Sequence, residues 1–213
     1  MVRAADDPHV VAARLAQAAG RFLLDLRRDL VDQDVSGRAL GDRGDRGSHE
    51  LLFDGLRRAF PDDAILSEEG VDDLSRLDSD RVWIIDPLDG TREFGEPPRV
   101  DWAVHVALVV EGHPDAGAVA LPAQGLLLTT QPPIQVGERR GGPLRLAVSR
   151  TRPPALAAAL GANLGAELIS MGSAGAKTVA VIRGDVDVYV HAGGQGEWDS
   201  AAPVAVARAA GLH

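Results

Sequence analysis

The chain has 213 residues, of which 45% are hydrophobic and 25% charged, so it suits one or two globular domains and is too apolar to be wholly disordered. Lys and Arg number 22 against 31 Asp and Glu, and the net charge of −9 argues against a general surface for nucleic-acid polymers or anionic membranes. The chain contains no cysteine, which excludes disulfides, thiol catalysis, Cys-ligated zinc and iron–sulfur clusters.

Neither a membrane span nor a secretory signal is predicted. No apolar run approaches the roughly 18–20 residues that a membrane span needs. The segment 1–20 carries acidic residues early and lacks a basic start followed by an apolar stretch. We therefore expect a soluble, cytoplasmic protein.

The first part of the chain is predicted to form two helices and then mainly strands. Apolar residues at spacings of three and four predict an amphipathic helix from Val11 to Leu30. The polar segment 33–47 contains four glycines and predicts a loop. Ser48 is predicted to cap a second helix, which Pro61 ends. Short strands are predicted at Ala64–Ser67, Arg81–Asp86, Trp102–Val110, Gly117–Leu121 and Leu126–Thr130, with a turn at 111–117.

The segment 131–143, with three prolines and three glycines, is predicted to separate an N-terminal domain (1–142) from a C-terminal domain (143–213). Beyond it strands alternate with helices, which indicates an α/β second half. The predicted elements are strands at Leu144–Ser149, Glu167–Ser170 and Val186–Val190, and helices at about Pro153–Leu164, Ser173–Arg183 and Asp199–Ala210. The chain ends directly after the last of these helices, and we expect the C-terminal edge of the domain to be absent.

Three acidic clusters each follow an apolar run: Glu68 with Glu69, Asp86 with Asp89, and Asp199. Strand ends and helix starts are where sites in layered α/β folds lie. Carboxylates gathered in a small volume repel each other unless hard divalent cations hold them together. Because the candidate ligands are all oxygens, Mg²⁺ or Mn²⁺ suits the site better than zinc.

The most informative run is the hexapeptide D-P-L-D-G-T. Asp86 and Asp89 can both face a metal ion, with the Leu88 carbonyl as a third oxygen ligand. Gly90 allows a close approach of the backbone to a ligand, and Thr91 is predicted to cap a short helix whose N–H groups face an anion. Cation ligands beside an anion site are what metal-assisted hydrolysis of a phosphate ester requires.

Taken singly, each acidic motif is more often a solvated pair, a polar turn or a helix cap, and only their conjunction favours a site. A rival phosphatase chemistry does not fit. Haloacid-dehalogenase-type enzymes use D-x-D-G-T, whose first Asp attacks phosphorus, whereas here Pro87 stands two residues before Asp89.

These motifs resemble the inositol monophosphatase superfamily of Mg²⁺-dependent, lithium-sensitive phosphatases. The family pattern is matched by Asp45, by Glu68–Glu69, by D-P-L-D-G-T and by W-D-S-A-A at 198–202. The runs LSEE, DPLDGTREF, DWAVHVALV and SMGSAGAK are similar to the CysQ-type branch, the 3'(2'),5'-bisphosphate nucleotidases. The resemblance implies a layered α/β sandwich (αβαβα) like that of fructose-1,6-bisphosphatase. It also implies removal of the 3'-phosphate from 3'-phosphoadenosine 5'-phosphate (PAP), a by-product of sulfur assimilation.

The resemblance further implies a set of metal ligands. Glu68, Asp86 and the Leu88 carbonyl would hold one Mg²⁺, and Asp86, Asp89 and Asp199 would hold a second. A third, weaker ion is expected near Glu68, and Mn²⁺ is expected to substitute for Mg²⁺.

The resemblance implies catalytic roles as well. Thr91 paired with Asp45 would orient and help deprotonate the attacking water, with Glu68 assisting, and the backbone of Gly90 and Thr91 would hold the transferred phosphate. The expected substrate-binding residues are Leu88, Asp89, Gly90, Thr91, Arg92, Gly172, Ser173, Ala174, Lys177, His191 and Asp199.

The substrate contacts in the second half rest on weaker signals. Gly172, Ser173 and Ala174 open a predicted helix, so their N–H groups and the serine hydroxyl can meet a ribose or a phosphate. Lys177, the only lysine of the chain, is a candidate for the second phosphate, as is Arg92. Each also has an ordinary structural interpretation as a solvent-facing helix residue.

Three functions stay open on the sequence. The first is a PAP phosphatase, the second an inositol-1-phosphate or fructose-1,6-bisphosphate phosphatase on the same scaffold, and the third a non-catalytic metal- or nucleotide-binding module. The expected partner is a small phosphorylated molecule. Homodimers are common in the family, although no segment marks an interface.

Overall fold

The computed structural model describes residues 7–139 and 141–213. Residues 1–6 and Arg140 lie outside the described residues. The first range is part of the segment in which no signal peptide is predicted, and Arg140 is in the predicted linker. Within the described ranges, no helix is both long and apolar enough to cross a bilayer.

Helices and strands follow one another largely as the hydrophobic periodicity predicts. The helices are α1 (Pro8–Val31), α2 (Gly37–Ala59), α3 (Thr91–Gly95), α4 (Ala155–Leu164), α5 (Ala174–Ile182) and α6 (Ala201–Ala209). The strands are β1 (Ala64–Ser67), β2 (Arg81–Asp89), β3 (Ala103–Val110), β4 (His113–Leu121), β5 (Leu126–Thr129), β6 (Arg145–Ser149), β7 (Glu167–Met171) and β8 (Val188–Tyr189).

The first sheet has the strand order β1-β2-β3-β4-β5, with β1 parallel to β2 and the other pairs antiparallel. Alternate residues of its strands point to opposite faces, and both faces are buried. Helices α1 and α2 cover one face through residues such as Leu23 and Leu52, which pack on the side of Trp83. Helices α5 and α6 cover the other face, on the side of Ile84.

The second sheet is parallel and has the order β7-β6-β8. Helix α5 also packs on this sheet, where Ala180 lies with Ala147 and Val186. Helix α4 approaches β7 so closely that a methyl group on Gly161 would lie 3.1 Å from Leu168. The result is the predicted αβαβα sandwich, which is confirmed. The division into domains 1–142 and 143–213 stays a prediction, and α6 from the second part packs on the sheet of the first.

The prediction of a loop at 33–47 is wrong, because α2 already begins at Gly37. Glycine is a poor helix former, but three of these glycines sit where α2 touches its neighbours. A methyl group on Gly41 would lie 2.6 Å from Cγ2 of Thr91, one on Gly44 would lie 2.8 Å from Cδ2 of Leu88, and one on Gly47 would lie 2.4 Å from Phe22. Close packing therefore outweighs helix propensity here and brings Asp45 toward the end of β2.

Two predicted helix caps are also wrong. Ser48 lies within α2, fully buried, and its hydroxyl donates to the Pro87 carbonyl at 2.7 Å. Gly90, with φ of 89°, is the residue that caps α3, and Thr91 is its first helical residue. Both corrections have the same cause. Each hydroxyl contacts a residue distant in sequence, Pro87 for Ser48 and Asp45 for Thr91, instead of a local backbone N–H.

Two strands are longer than predicted. Strand β2 continues past Asp86 to Asp89 through an irregular register with β3. Strand β4 begins at His113, so the tight turn is at Glu111 and Gly112, both of which have positive φ. Trp83 on β2 and Trp102 just before β3 are fully buried.

Candidate active site

The acidic clusters meet at one edge of the first sheet. Strands β1 and β2 are parallel neighbours, with Ser67 opposite Ile85, so the residues that follow both strands emerge side by side. Glu68, Asp86, Asp89 and Asp199 all line one cavity of about 960 Å³. In the sequence, Glu68 is 18 residues before Asp86 and 131 residues before Asp199, and the fold brings these motifs together.

Asp86 lies at the centre of the cluster and is only 1% exposed. Its Oδ1 accepts a hydrogen bond from the Leu88 N–H at 3.1 Å. Burial, and then the charges of Asp89 and Glu68, raise the pKa of Asp86 well above its usual range. A carboxyl group in this environment needs either a proton or a cation to compensate its charge.

Glu68 is in direct contact with this buried carboxyl group. The two carboxyl groups interact directly, and the charge of Glu68 is one of the causes that raise the pKa of Asp86. Desolvation in the cleft, together with the charges of Asp199 and Asp89, raises the pKa of Glu68 to about 7. Two carboxylates in contact form a donor set that fits a hard divalent ion.

Asp89 is held differently from Asp86. Its carboxylate accepts hydrogen bonds from the Ser173 hydroxyl at 2.5 Å, the Gly175 N–H at 2.7 Å and the Ala174 N–H at 3.0 Å. Burial alone would raise the pKa of Asp89, but His105 and these donors outweigh it and lower the pKa to about 2. Asp89 is therefore a permanent anion that joins the end of β2 to the start of α5.

His105 on β3 is a site residue that sequence reasoning missed. Its Nδ1 lies 3.1 Å from the carbonyl of Trp198, and because a carbonyl only accepts, Nδ1 carries the hydrogen. Its Nε2 lies 3.1 Å from Oδ2 of Asp89 and has no hydrogen-bond partner of good geometry. Burial lowers the pKa of His105, but Asp89 raises it, and the net shift is upward. The only signal in the sequence was one histidine within an otherwise apolar strand.

The donor set of the described residues fits a divalent cation. Ligand atoms of Asp86, Asp89 and His105 lie within 4.8 Å of one another. The Nε2 atom of His105 has no hydrogen-bond partner of good geometry, and the charges of Asp86 and Glu68 oppose each other, which a nearby cation would relieve. The Leu88 carbonyl accepts a hydrogen bond from Thr91 and keeps a second lone pair.

Thr91 and Asp45 form the predicted pair. The Thr91 hydroxyl is 3.2 Å from Oδ1 of Asp45 and 3.1 Å from the Leu88 carbonyl. Burial, and then the charges of Glu69 and Glu68, raise the pKa of Asp45 to about 8. The single hydroxyl hydrogen of Thr91 serves one of these two acceptors at a time.

The predicted substrate donors at the start of α5 are used within the protein. Ser173 and Ala174 donate to Asp89, and the Gly172 N–H donates to Asp101 at 2.7 Å. The ammonium of Lys177 is buried and donates to the carbonyls of Gly172 at 3.1 Å and Ser173 at 2.5 Å. All four residues line the cavity, and their contact with a substrate stays a prediction.

The cavity is also lined by arginines. Arg92 and His191 are exposed lining residues, and Arg150 and Arg152, which sequence reasoning missed, line the cavity as well. Arg150 is bound to Glu93 at 2.7 Å and to Glu96 at 3.0 Å, whereas Arg152 is exposed. The S-R-T-R run directly after β6 was the available signal.

The acidic cluster should make the unfolding free energy of the metal-free protein depend on pH. The pKa values of Asp45 and Glu68 are about 8 and 7 in the folded protein and near 4 when unfolded. Between these values the folded state binds more protons than the unfolded state, so the unfolding free energy falls as pH rises from about 4 to about 8. We expect the melting temperature in EDTA to decrease over this range.

Added Mg²⁺ should raise the melting temperature more near pH 8 than near pH 4. At the higher pH fewer protons have to leave the carboxyl groups before the cation binds. The two variants Asp45→Asn and Glu68→Gln should each flatten the pH dependence in EDTA. A melting temperature that rises with pH in EDTA would contradict the raised pKa values.

The inositol monophosphatase family model matches residues 6–212. The 3'-phosphoadenosine 5'-phosphate phosphatase of Mycobacterium leprae is 50% identical over 216 aligned residues, which cover 95% of this chain and 79% of that protein. The 3'(2'),5'-bisphosphate nucleotidase CysQ of Escherichia coli K12 is 31% identical, over 94% of this chain and 87% of that protein.

Solved structures agree with the fold. CysQ from Bacteroides thetaiotaomicron superposes with a TM-score of 0.79 at 27% identity, over 95% of this chain and 86% of that one. Inositol monophosphatase II from Staphylococcus aureus superposes with a TM-score of 0.77 at 19% identity, over 95% of this chain and 81% of that one, which supports the fold alone.

Proposed function

Since this chain belongs to the inositol monophosphatase family and is a phosphatase, we propose that its substrate is PAP and that it removes the 3'-phosphate. The relatives about half identical to it bear the name 3'-phosphoadenosine 5'-phosphate phosphatase, and CysQ proteins follow at lower identity. The chain covers more than two thirds of these relatives, including every acidic motif of the site.

The observation that carries the proposal is the polarity of the cavity. Carboxylates such as Asp86 and Asp89 and the arginines Arg92 and Arg152 all line it. A substrate with two phosphates suits such a mixed lining, with the reacting phosphate near the carboxylates that would hold cations and the second phosphate at a guanidinium group. Arg150 is engaged by Glu93 and Glu96, which leaves Arg92 and Arg152 for this second role.

We propose Mg²⁺ as the physiological cation, with Mn²⁺ as a substitute. Glu68, Asp86 and the Leu88 carbonyl would hold one ion, Asp86, Asp89 and Asp199 would hold the second, and a third, weaker ion would lie near Glu68. When bound, such ions supply Lewis-acid polarisation of the phosphate and make water a stronger nucleophile. Three hydrogen-bond donors from the start of α5 already fix the orientation of the Asp89 carboxylate for cation binding.

The chain's own groups handle the water and its proton. Asp45 and Thr91 are hydrogen-bonded to each other at the cavity edge, where the pair can orient a water and accept its proton. Gly90 has a φ of 89°, and a Cβ atom added there would lie 3.2 Å from the Asp101 carbonyl oxygen, so a side chain would be crowded. Gly90 lines the cavity, where its backbone would meet the transferred phosphate. A homodimer stays a prediction from the family resemblance.

A substrate panel tests the proposal. We expect Mg²⁺-dependent phosphate release from PAP to have a kcat/KM at least about tenfold above that from inositol 1-phosphate or fructose 1,6-bisphosphate, a difference of about 1.4 kcal/mol in transition-state binding. Adenosine 3'-monophosphate serves as the matched substrate without the second phosphate. A preference for inositol 1-phosphate over PAP by tenfold or more would overturn the substrate assignment.

A further inference from the structure

Asp199 and Glu68 reach the site from segments that sequence order keeps far apart. Glu68 follows β1, and Asp199 lies in the turn before α6. Both residues line the same cavity. The relative position of the two segments therefore sets the distance between these two candidate ligands.

Arg76 connects these segments. It lies in a short 3-10 turn (Leu74–Asp78) that follows Glu68 in the chain. Its guanidinium contacts both carboxylate oxygens of Glu197, at 2.8 Å and 3.3 Å, across 121 residues of sequence. It also contacts both oxygens of Asp72, at 2.7 Å and 3.1 Å. The Arg76 side chain is only 10% exposed, although Asp72 and Glu197 are 40% and 55% exposed.

Glu197 is part of the turn that carries Asp199. Its carbonyl accepts the N–H groups of Ser200 at 3.1 Å and Ala201 at 2.9 Å, which starts α6. The Asp199 carboxylate accepts the Gly196 N–H at 2.8 Å within the same turn. His105 holds the turn from inside through the Trp198 carbonyl, and Arg76 holds it from outside.

The 3-10 turn has little else to fix it. Leu74 and Leu77 are 66% and 68% exposed, so apolar burial contributes little to its position. An isolated surface ion pair contributes little to stability, but Arg76 binds two carboxylates through a planar guanidinium group that is itself mostly buried.

We propose that Arg76 is a positioning residue, which through Glu197 holds the Glu68 and Asp199 segments at the spacing that cation binding requires. The inference rests on the metal site of the proposed function, but it makes no use of the substrate. Arg76 touches neither substrate nor reacting atoms and acts only through Glu197.

Simple electrostatics makes the opposite prediction for Arg76, which gives a sharp test. Removing a positive charge near an acidic site should strengthen cation binding. Loss of the Arg76–Glu197 contact, which holds the two segments together, should instead weaken cation binding. Mn²⁺ binding to the metal-free full chain, followed by electron paramagnetic resonance of the free ion, reports this directly. We expect Arg76→Gln and Glu197→Gln each to raise the Mn²⁺ dissociation constant by about three- to tenfold, and the double variant to be no worse than either single variant.

Two control variants distinguish loss of the Arg76–Glu197 contact from general damage to the fold. Asp72→Asn breaks only the local pair with Arg76 and should change the Mn²⁺ dissociation constant less than about twofold. Arg81→Gln breaks the bidentate pair with Asp63, at 2.9 Å for both contacts and away from the cavity, and should lower the melting temperature without changing Mn²⁺ affinity. If Glu197→Gln fails to fold, Glu197→Asp keeps the charge but shortens the reach.

Unchanged or tighter Mn²⁺ binding by Arg76→Gln would overturn the proposal, as would an Asp72→Asn effect equal to that of Glu197→Gln. Because the readout contains no substrate, an incorrect substrate assignment would leave the result intact. If the unaltered chain did not bind Mn²⁺ at all, the proposed metal site itself would be overturned.

Discussion

Replacing Asp86 with asparagine is expected to abolish turnover while leaving the protein folded. The carboxyl group is almost fully buried, and its raised pKa means that the fold already accommodates a neutral side chain there. Asparagine has the same shape, and its oxygen can keep the hydrogen bond from the Leu88 N–H. What it cannot supply is the negative charge that would bridge two cations. We expect kcat/KM to fall at least about a thousandfold, or about 4 kcal/mol of barrier.

The measurement is phosphate release from PAP, with melting temperatures in EDTA as the control for folding. At about pH 8 the variant should melt at or above the temperature of the unaltered chain, because it removes repulsion with Glu68 and Asp89. Asp63→Asn is the matched substitution away from the cavity, since Asp63 binds Arg81 and Trp83, and it should keep its activity. Retention of more than a tenth of the activity by Asp86→Asn would contradict the two-cation assignment.

Much of the site was predictable because its residues lie in short motifs at the ends of regular elements. The D-P-L-D-G-T run fixed the places of Asp86, Asp89 and Thr91, and apolar periodicity placed β1 and β2 correctly as neighbours of this run. Local spacing also identified α5, whereas the last helix, predicted from about Asp199, begins at Ala201, so Asp199 lies in the turn before it. The pairing of Asp45 with Thr91 came from the family resemblance, and the hydrogen bond between them agrees with it.

The features that sequence reasoning missed all depend on contacts between distant segments. The glycines of α2 look like a loop until Leu88 and Phe94 are seen to occupy the space that side chains would fill. His105 looks like one more strand residue until its ring is found between Asp89 and the Trp198 carbonyl. No local pattern reports such contacts, because periodicity identifies a buried face and not its partner.

The same limit applies to the charged residues of the cavity wall. Lys177 looked free to bind a phosphate, but its ammonium is buried against two carbonyls and lies 5.0 Å from the centre of the Tyr189 ring. Glu93, a residue of the short helix α3, binds Arg150 at 2.7 Å. Which arginine stays available for a ligand follows from these pairings and could not be read from residue type.

Replacing Thr91 with valine is expected to give the second-largest loss of activity. Valine keeps the shape of threonine and the packing of a methyl group against Gly41, but it removes the hydroxyl that contacts Asp45 and Leu88. If the pair orients the attacking water and accepts its proton, kcat should fall by about 10²- to 10³-fold. Mn²⁺ affinity should change far less, since the proposed cation ligands are untouched.

The conservative variant and a double variant decide whether the hydroxyl itself is responsible. Thr91→Ser keeps the hydroxyl and should retain most of the kcat, whereas Asp45→Asn should lose about as much as Thr91→Val. Because the two side chains would act as one unit, the double variant Asp45→Asn/Thr91→Val should be little worse than either single variant. Losses that multiply, or a Thr91→Ser defect as large as that of valine, would mean that the pair maintains local packing and does not handle the water.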